Sequence, residues 1–258
     1  LPGMRNQKPF LLLLLVSGLG IVYSKQGVNS VSVPIKRPVE FKDMQEGHNM
    51  LMPFGPHIVY SRLPEKIIKS LNMYVDAKMQ QKKDKALDHS EHLVGKVTQE
   101  FLIDGDQINR MAEFFNGAFG AYHQFYLQRQ NQALHPDARL GIQYASAWVV
   151  RQFAGEFNPA HIHTECQLSC VGYLKVPDLE KEDEEDSKKH YPCSGNIELF
   201  HESSNFYHNG AVRIRPAVGD FIIFPSYLTH TVYPFKNTDE ERRSFSMNIN
   251  INVEKNDE

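Results

Sequence analysis

The chain has 258 residues and 29.6 kDa, and 41% of its residues are hydrophobic, which suits one full-sized core with a small accessory layer. Its formal net charge is -3 and its isoelectric point is near 6.5, with Lys and Arg spread along the sequence, so there is no basic surface built for nucleic acid. Beyond the N-terminal segment no apolar stretch is long enough for a transmembrane helix.

Arg5 and Lys8 precede an apolar run from Phe10 to Val22, and Val22 and Ser24 fit the -3 and -1 positions of a cleavage site. This order predicts a signal peptide or N-terminal anchor over residues 1–24. It implies a secretory or extracytoplasmic location, with membrane attachment only if the segment stays uncleaved; without such a signal the location would be cytoplasmic. Residues 25–51 read as a linker, and residues 52–258 as a single domain. Within it, 52–140 forms a helical support and 141–258 a jelly-roll core.

A helix is expected from Pro64, where Ile67, Ile68, Leu71, Tyr74 and Val75 form one apolar face. Lys78 to His89 is charged and reads as a solvated loop. A second helical pattern runs from Asp106 to about Gln130, with Ile108, Met111, Phe114, Phe115, Ala118, Tyr122, Phe125 and Tyr126 at helical spacing. Past Gly141 the period becomes that of strands: Ile142 to Phe153, Gln167 to Val176, Asn196 to Phe200, Val212 to Arg215, Asp220 to Phe224, Thr231 to Phe235 and Arg243 to Val253. Strands in this number without intervening helices predict a mainly β fold with flanking helices, an antiparallel double-sheet jelly roll, cupin-like. The acidic run Glu180 to Asp186 reads as a solvated loop, or more sharply as a lid.

Chemistry is concentrated in Asn158-Pro159-Ala160-His161-Ile162-His163-Thr164-Glu165. On an extended strand His161, His163 and Glu165 share one face, and imidazole and carboxylate ligands with open positions suit non-haem Fe(II). His230 follows a strand and the turn-former Pro225, placing a third imidazole at a strand edge. Arg242, Ser244, Ser246 and Asn248 alternate on one face of the last strand, a row that would be costly in a dry core and useful in a ligand cavity. An arginine fork with a serine hydroxyl suits the distal carboxylate of a 2-oxo diacid. Asn158 and Tyr144 are candidates for hydrogen bonds to its chelating end. Trp148 leads into the motif, and it and Tyr173 read as packing. His57, His89, His92 and His135 are scattered and read as non-ligands. Cys166, Cys170 and Cys193 form no metal-binding CxxC pair; the first two read as small buried hydrophobes, and a disulfide from Cys193 to one of them is open.

Pro53-Phe54-Gly55-Pro56, Leu93-Val94-Gly95 with Gln99-Glu100, Phe157-Asn158-Pro159-Ala160-His161-Ile162-His163, Tyr173-Leu174-Lys175-Val176-Pro177, Phe224-Pro225-Ser226, His230 to Phe235 and Glu241-Arg242-Arg243-Ser244 together resemble the 2-oxoglutarate/Fe(II) oxygenases of marine phages and bacteria. The resemblance implies a double-stranded β-helix, Fe(II), 2-oxoglutarate as co-substrate and O2. It also implies roles for His161, His163 and His230 on the metal and for Arg242 on the co-substrate. The substrate, a protein side chain or a small metabolite, is not implied. Two ligand sets stay open: His161, His163 and His230, which the family's HxH favours, or His163, Glu165 and His230. The alternative functions are a three-histidine cupin-type enzyme that uses no 2-oxo acid, and a non-catalytic jelly-roll binding module.

Overall fold

The computed structural model describes residues 10–12, 15–16, 19–20, 55–81, 96–130, 132, 138–179, 188, 193–202 and 209–255. In the segment read as a signal, β1 (Phe10–Leu12) pairs antiparallel with the Ile142–Tyr144 stretch of a later strand, and β2 (Leu15–Val16) pairs with β3 (Leu19–Gly20). The rest of residues 1–24, the linker 25–51, the acidic run Glu180 to Asp186, and His89, His92 and His135 lie outside the described residues.

The remaining elements follow in chain order as β4 (Val59–Arg62), α1 (Glu65–Gln81), β5 (Gln99–Leu102), α2 (Gly105–Asn109), α3 (Ala112–Arg129), β6 (Ala138–Gln152), β7 (Asn158–His161), β8 (Leu168–Lys175), β9 (Ile197–Phe200), β10 (Ala211–Ile214), β11 (Asp220–Pro225), β12 (Thr229–Val232) and β13 (Arg242–Lys255). The larger sheet runs β1-β6-β13-β8-β11-β4, with β5 also on β6; the smaller runs β10-β9-β12-β7. All their pairings are antiparallel. From β6 onward the chain alternates between the two sheets, apart from the β9–β10 hairpin. This winding is the double-stranded β-helix, mainly β with flanking helices.

Helix α1 starts where Pro64 places it: the Pro64 carbonyl accepts from the Ile67 and Ile68 amides at 2.9 and 3.2 Å. It runs to Gln81, so the first residues of the expected charged loop are helical. The second expected helix is broken. Arg110 and Met111 separate α2 from α3, and the Met111 amide closes a tight turn on the Ile108 carbonyl at 3.0 Å. The strand expected over Thr231–Phe235 begins and ends earlier, at Thr229 and Val232.

The larger sheet has two unlike faces. Phe221, Phe245, Met247 and Ile249 point to the helices and pack with Ile67, Leu71, Val75, Phe115 and Phe119 in the main core. Burial of each such side chain contributes about 1.5–3 kcal/mol. The opposite face looks across to the smaller sheet, where Val171, Tyr173, Ile197, Leu199, Ile222, Phe224 and Leu228 form a second cluster. Gly172 marks a close approach on the helix side. It lies in register between Phe221 and Phe245, whose rings stack across it at 6.0 Å, and a Cβ there would sit 2.3 Å from Phe245 Cε1.

An ion cluster ties the sheet to α1. Buried Arg243 donates to both Glu241 oxygens at 2.7 and 3.0 Å, to Asn72 Oδ1 at 2.9 Å and to Asp76 at 2.8 Å. Arg151 donates to the same Glu241 carboxylate at 2.6 and 3.1 Å. Burial alone would raise the Glu241 pKa, but hydrogen bonds from Arg151 and Arg243 overcome it and hold the group at about 2.

Two outcomes follow from this packing. Gly172→Ala forces the Phe221–Phe245 stack apart and costs about 1–3 kcal/mol, read as a lowered thermal midpoint. Because the folded pKa of Glu241 is depressed, its contribution is complete above the ordinary carboxylate value of 4.5 and is lost as pH falls toward 2. Glu241→Gln therefore destabilises by roughly 2–3 kcal/mol at neutral pH, by leaving buried Arg243 with less counter-charge. It also flattens the loss of stability between pH 4.5 and 2 in acid titrations of unfolding.

Candidate active site

Strand β7 carries the first histidine to the end of the smaller sheet. Its register against β12 pairs His230 with His161 and Val232 with Asn158, so two steps on β12 oppose three on β7. The extra residue falls at Pro159–Ala160. Pro159 has no N–H to give the ladder, and β7 is an edge strand, where such a residue is tolerated. The strand then stops at His161. The following loop is fastened to the turn between β11 and β12: the His163 amide donates to the Ser226 carbonyl at 2.9 Å, the Ser226 amide to Gln167 O at 3.0 Å, and Ser226 Oγ to Cys166 O at 2.6 Å.

His161, His163 and His230 converge, each offering a ring nitrogen within 4.8 Å of the others. Ring centroids are 4.2 Å apart for His161–His230, 5.1 Å for His163–His230 and 5.4 Å for His161–His163. His161 Nδ1 lies 2.7 Å from Pro159 O, and His230 Nδ1 lies 3.0 Å from Leu228 O. A carbonyl only accepts, so both Nδ1 atoms carry the proton and both Nε2 lone pairs are free. Burial, then the neighbouring His161, pushes the His163 pKa down to about 4. Burial, again followed by His161, lowers His230 to about 3 against the opposing pull of the Leu228 carbonyl. At neutral pH these two rings are uncharged, the form that ligates a metal. Trp148 and Phe224 wall the cluster, with centroids 5.6 Å from His163 and 4.9 Å from His230.

Glu165 stands outside this cluster. The extended strand that would have aligned it with His161 and His163 has ended, and Glu165 is exposed in the left-handed region at φ 62°. Tyr144 is likewise displaced from the role expected of it. Its side chain faces the helices, where the hydroxyl donates to Asn116 Oδ1 at 2.6 Å and the ring packs on Phe119. Asn158 starts β7, and its Oδ1 is buried without a partner. His57 lies against Tyr126, away from the three histidines. Cys166, Cys170 and Cys193 form no disulfide, and Cys170 is buried in the main core as expected of a small hydrophobe.

The inner face of the larger sheet supplies the rest. Along β6, Trp148, Val150 and Gln152 pair across to Ser246, Ser244 and Arg242 of β13, giving a column that begins at the histidines. Arg242 closes it. The side chain is 1% exposed and donates to Gln152 Oε1 at 2.5 Å, to the Gly195 carbonyl and to the Tyr233 carbonyl at 3.5 Å. Its guanidinium also lies 5.4 Å over the Phe235 ring. Among the described residues no carboxylate pairs with it. Burial lowers its pKa to about 10, helped by Arg215 and opposed by Tyr173, so it stays charged at neutral pH. Ser244 is buried on the same face. Sequence reading missed Gln152, although its alternation with Trp148 on one strand face would have found it. Tyr173, read as packing, does pack in the inter-sheet cluster, and it sits close enough to Arg242 for that cation to draw its pKa down against burial, which nonetheless leaves it at about 12. A cavity of about 630 Å³ is lined by Pro56, Ile58, Leu199, His201, Glu202 and Leu228 among others, and none of the three histidines lines it. Leu199 is the strand partner of His230, and Leu228 supplies its carbonyl contact.

Comparison with known proteins finds one family model over this part of the chain. Residues 146–248 match the family model described as "Putative 2OG-Fe(II) oxygenase", a span that holds all three histidines and Arg242. Similar solved structures include a prolyl-4-hydroxylase from Pseudomonas putida at 15% identity, covering 75% of this chain and 91% of that one with a TM-score of 0.48. Another is a Trichoplax adhaerens prolyl hydroxylase in complex with a hypoxia inducible factor peptide fragment, at 15% identity, 76% and 83% coverage and a TM-score of 0.46. A third is the viral collagen prolyl hydroxylase of Paramecium Bursaria Chlorella virus-1, in a 2OG complex, at 12% identity, 74% and 94% coverage and a TM-score of 0.42. No curated protein matches the chain. Over residues 146–248 the chain is thus similar to the 2OG-Fe(II) oxygenases, and the three-histidine cluster lies within that span.

Proposed function

We propose that His161, His163 and His230 hold the Fe(II) and that Arg242 with Ser244 anchors the distal carboxylate of 2-oxoglutarate, so that the enzyme hydroxylates a protein side chain or small metabolite. The observation that carries this reading is the pairing of two unlike groups along the inner face of β6 and β13. Three converging imidazoles lie at one end, and a buried guanidinium with no carboxylate among the described residues lies at the other. Both fit their proposed guests. Neutral imidazole is a ligand for iron, and a desolvated cation fixed by carbonyls is complementary to an acceptor-only carboxylate.

When bound, the iron and 2-oxo acid would supply oxidative decarboxylation to succinate and carbon dioxide, coupled to hydroxylation of substrate. The chain's own residues have narrower tasks. Pro159 and Leu228 carbonyls fix the tautomers of His161 and His230, and the Ser226 clamp sets the position of His163. Trp148 and Phe224 keep the cluster apolar, which limits water near the reacting groups. With no acidic side chain in the set, the three neutral imidazoles would neutralise none of a bound ion's charge, which would favour an anionic co-substrate beside it.

Two measurements test these assignments. In anaerobic titrations followed by the metal-to-ligand charge-transfer band, His230→Ala and His161→Ala should each weaken Fe(II) binding at least tenfold. Glu165→Ala should bind as the unaltered protein does; a lost band in Glu165→Ala would instead place the iron on His163, Glu165 and His230. Arg242→Ala should raise the Kd for 2-oxoglutarate by roughly a hundredfold while Fe(II) affinity holds, reflecting about 3 kcal/mol for a hydrogen-bonded buried charge. An unchanged Kd would favour a three-histidine enzyme that uses no 2-oxo acid.

A further inference from the structure

Gln152 ends β6 at 2% exposure, in register with Arg242, and its side chain emerges on the same inner face of the sheet. Its Oε1 lies 2.5 Å from Arg242 Nη2. A guanidinium only donates, so the amide orientation is fixed by chemistry: the oxygen faces Arg242 and the nitrogen points elsewhere. That nitrogen, Gln152 Nε2, is buried and has no hydrogen-bond partner. An unmet donor in a dry interior costs about 1–3 kcal/mol, and it persists here beside a cation that also lacks a counter-ion among the described residues.

We infer that Gln152 is a second co-substrate-binding residue: its Oε1 holds the Arg242 fork in place while its Nε2 donates to the distal carboxylate of the 2-oxo acid. The inference rests on the reading of Arg242 as the anchor. Gln152 Nε2 and the Arg242 guanidinium offer only donors, and Ser244 two residues along the same face can add a hydroxyl donor. A guest among them must accept several hydrogen bonds at once and give none, which describes an ionised carboxylate and not an amide, an alcohol or a methyl end. The same residue thus supplies orientation and discrimination. A co-substrate with no terminal carboxylate would leave Nε2 without a partner and the guanidinium without a counter-charge.

The test is calorimetric titration of the Mn(II)-loaded protein with 2-oxoglutarate and, separately, with 2-oxopentanoate, whose chain of equal length ends in a methyl group. Gln152→Leu should weaken 2-oxoglutarate by roughly ten- to a hundredfold and leave the weak binding of 2-oxopentanoate unchanged. Gln152→Glu keeps the shape and the acceptor toward Arg242 but replaces the donor by a like charge, and should lose 2-oxoglutarate more severely. Mn(II) affinity and thermal midpoint report whether each variant folds. Should Gln152→Leu prove unfolded, Gln152→Glu carries the test, since wild-type affinity in that variant overturns the contact. Equal losses for both ligands, or none for either, also overturn it, because a residue that only shapes the pocket does not distinguish a carboxylate from a methyl. Arg242→Ala separates the two levels: if it leaves 2-oxoglutarate binding intact the anchor itself is wrong, and if it weakens binding while the Gln152 variants do not, only the role of Gln152 falls.

Discussion

The antiparallel register of β6 against β13 fixes almost everything else in the molecule. It places Trp148 opposite Ser246, Val150 opposite Ser244 and Gln152 opposite Arg242 on the inner face, while Phe245, Met247 and Ile249 face the helices. Side chains alternate with a period of two, so a slip of one residue would turn the polar column into the aromatic core and send the phenylalanines into the cavity. The hydrophobic face therefore enforces the register, and the register delivers the polar column. Stability and site geometry are set by the same pairing.

Two consecutive arginines show how far the two faces differ. Arg243 points to the helices and is met by Glu241, Asp76 and Asn72, so its charge is balanced within the fold. Arg242 points inward and is met by carbonyl oxygens and an amide, all neutral. Both are almost wholly buried. A chain that can neutralise one buried guanidinium with two carboxylates could do the same for its neighbour, yet on the inner face it supplies only dipoles. Dipoles make the cation tolerable while leaving its charge available, which is the condition a binding site for an anionic co-substrate needs.

Much of this was legible in the sequence because strand alternation is a strong signal. The row Arg242, Ser244, Ser246 and Asn248 and the helix after Pro64 both follow from local rules. The features that escaped depend on partners distant in sequence or on local departures from regularity. Tyr144 alternates correctly for a strand, but the register shift of β13 between Asn248 and Ile249 and the packing of α3 decide which side it serves, and no local pattern shows either. Gln152 escaped for a different reason. A glutamine at a strand end is unremarkable until Arg242 is seen directly across from it.

The motif around His161 shows the same limit from the other direction. Alternation correctly grouped His161 with His163, but it also enlisted Glu165, because the pattern alone cannot say where the strand stops. Physical chemistry supplies the reason for the stop. Pro159 breaks the ladder, the extra residue bends β7 against β12, and Ser226 then draws the chain off the sheet edge before a fifth extended residue can form. His163 is consequently held by the β11–β12 turn, the same turn that leads into His230, so two of the three imidazoles move as one unit. The third is tied to that unit through its pairing with His230. A three-histidine cluster mounted on one turn and one strand pair has few independent ways to open, and Glu165, itself the left-handed residue, is exposed outside it.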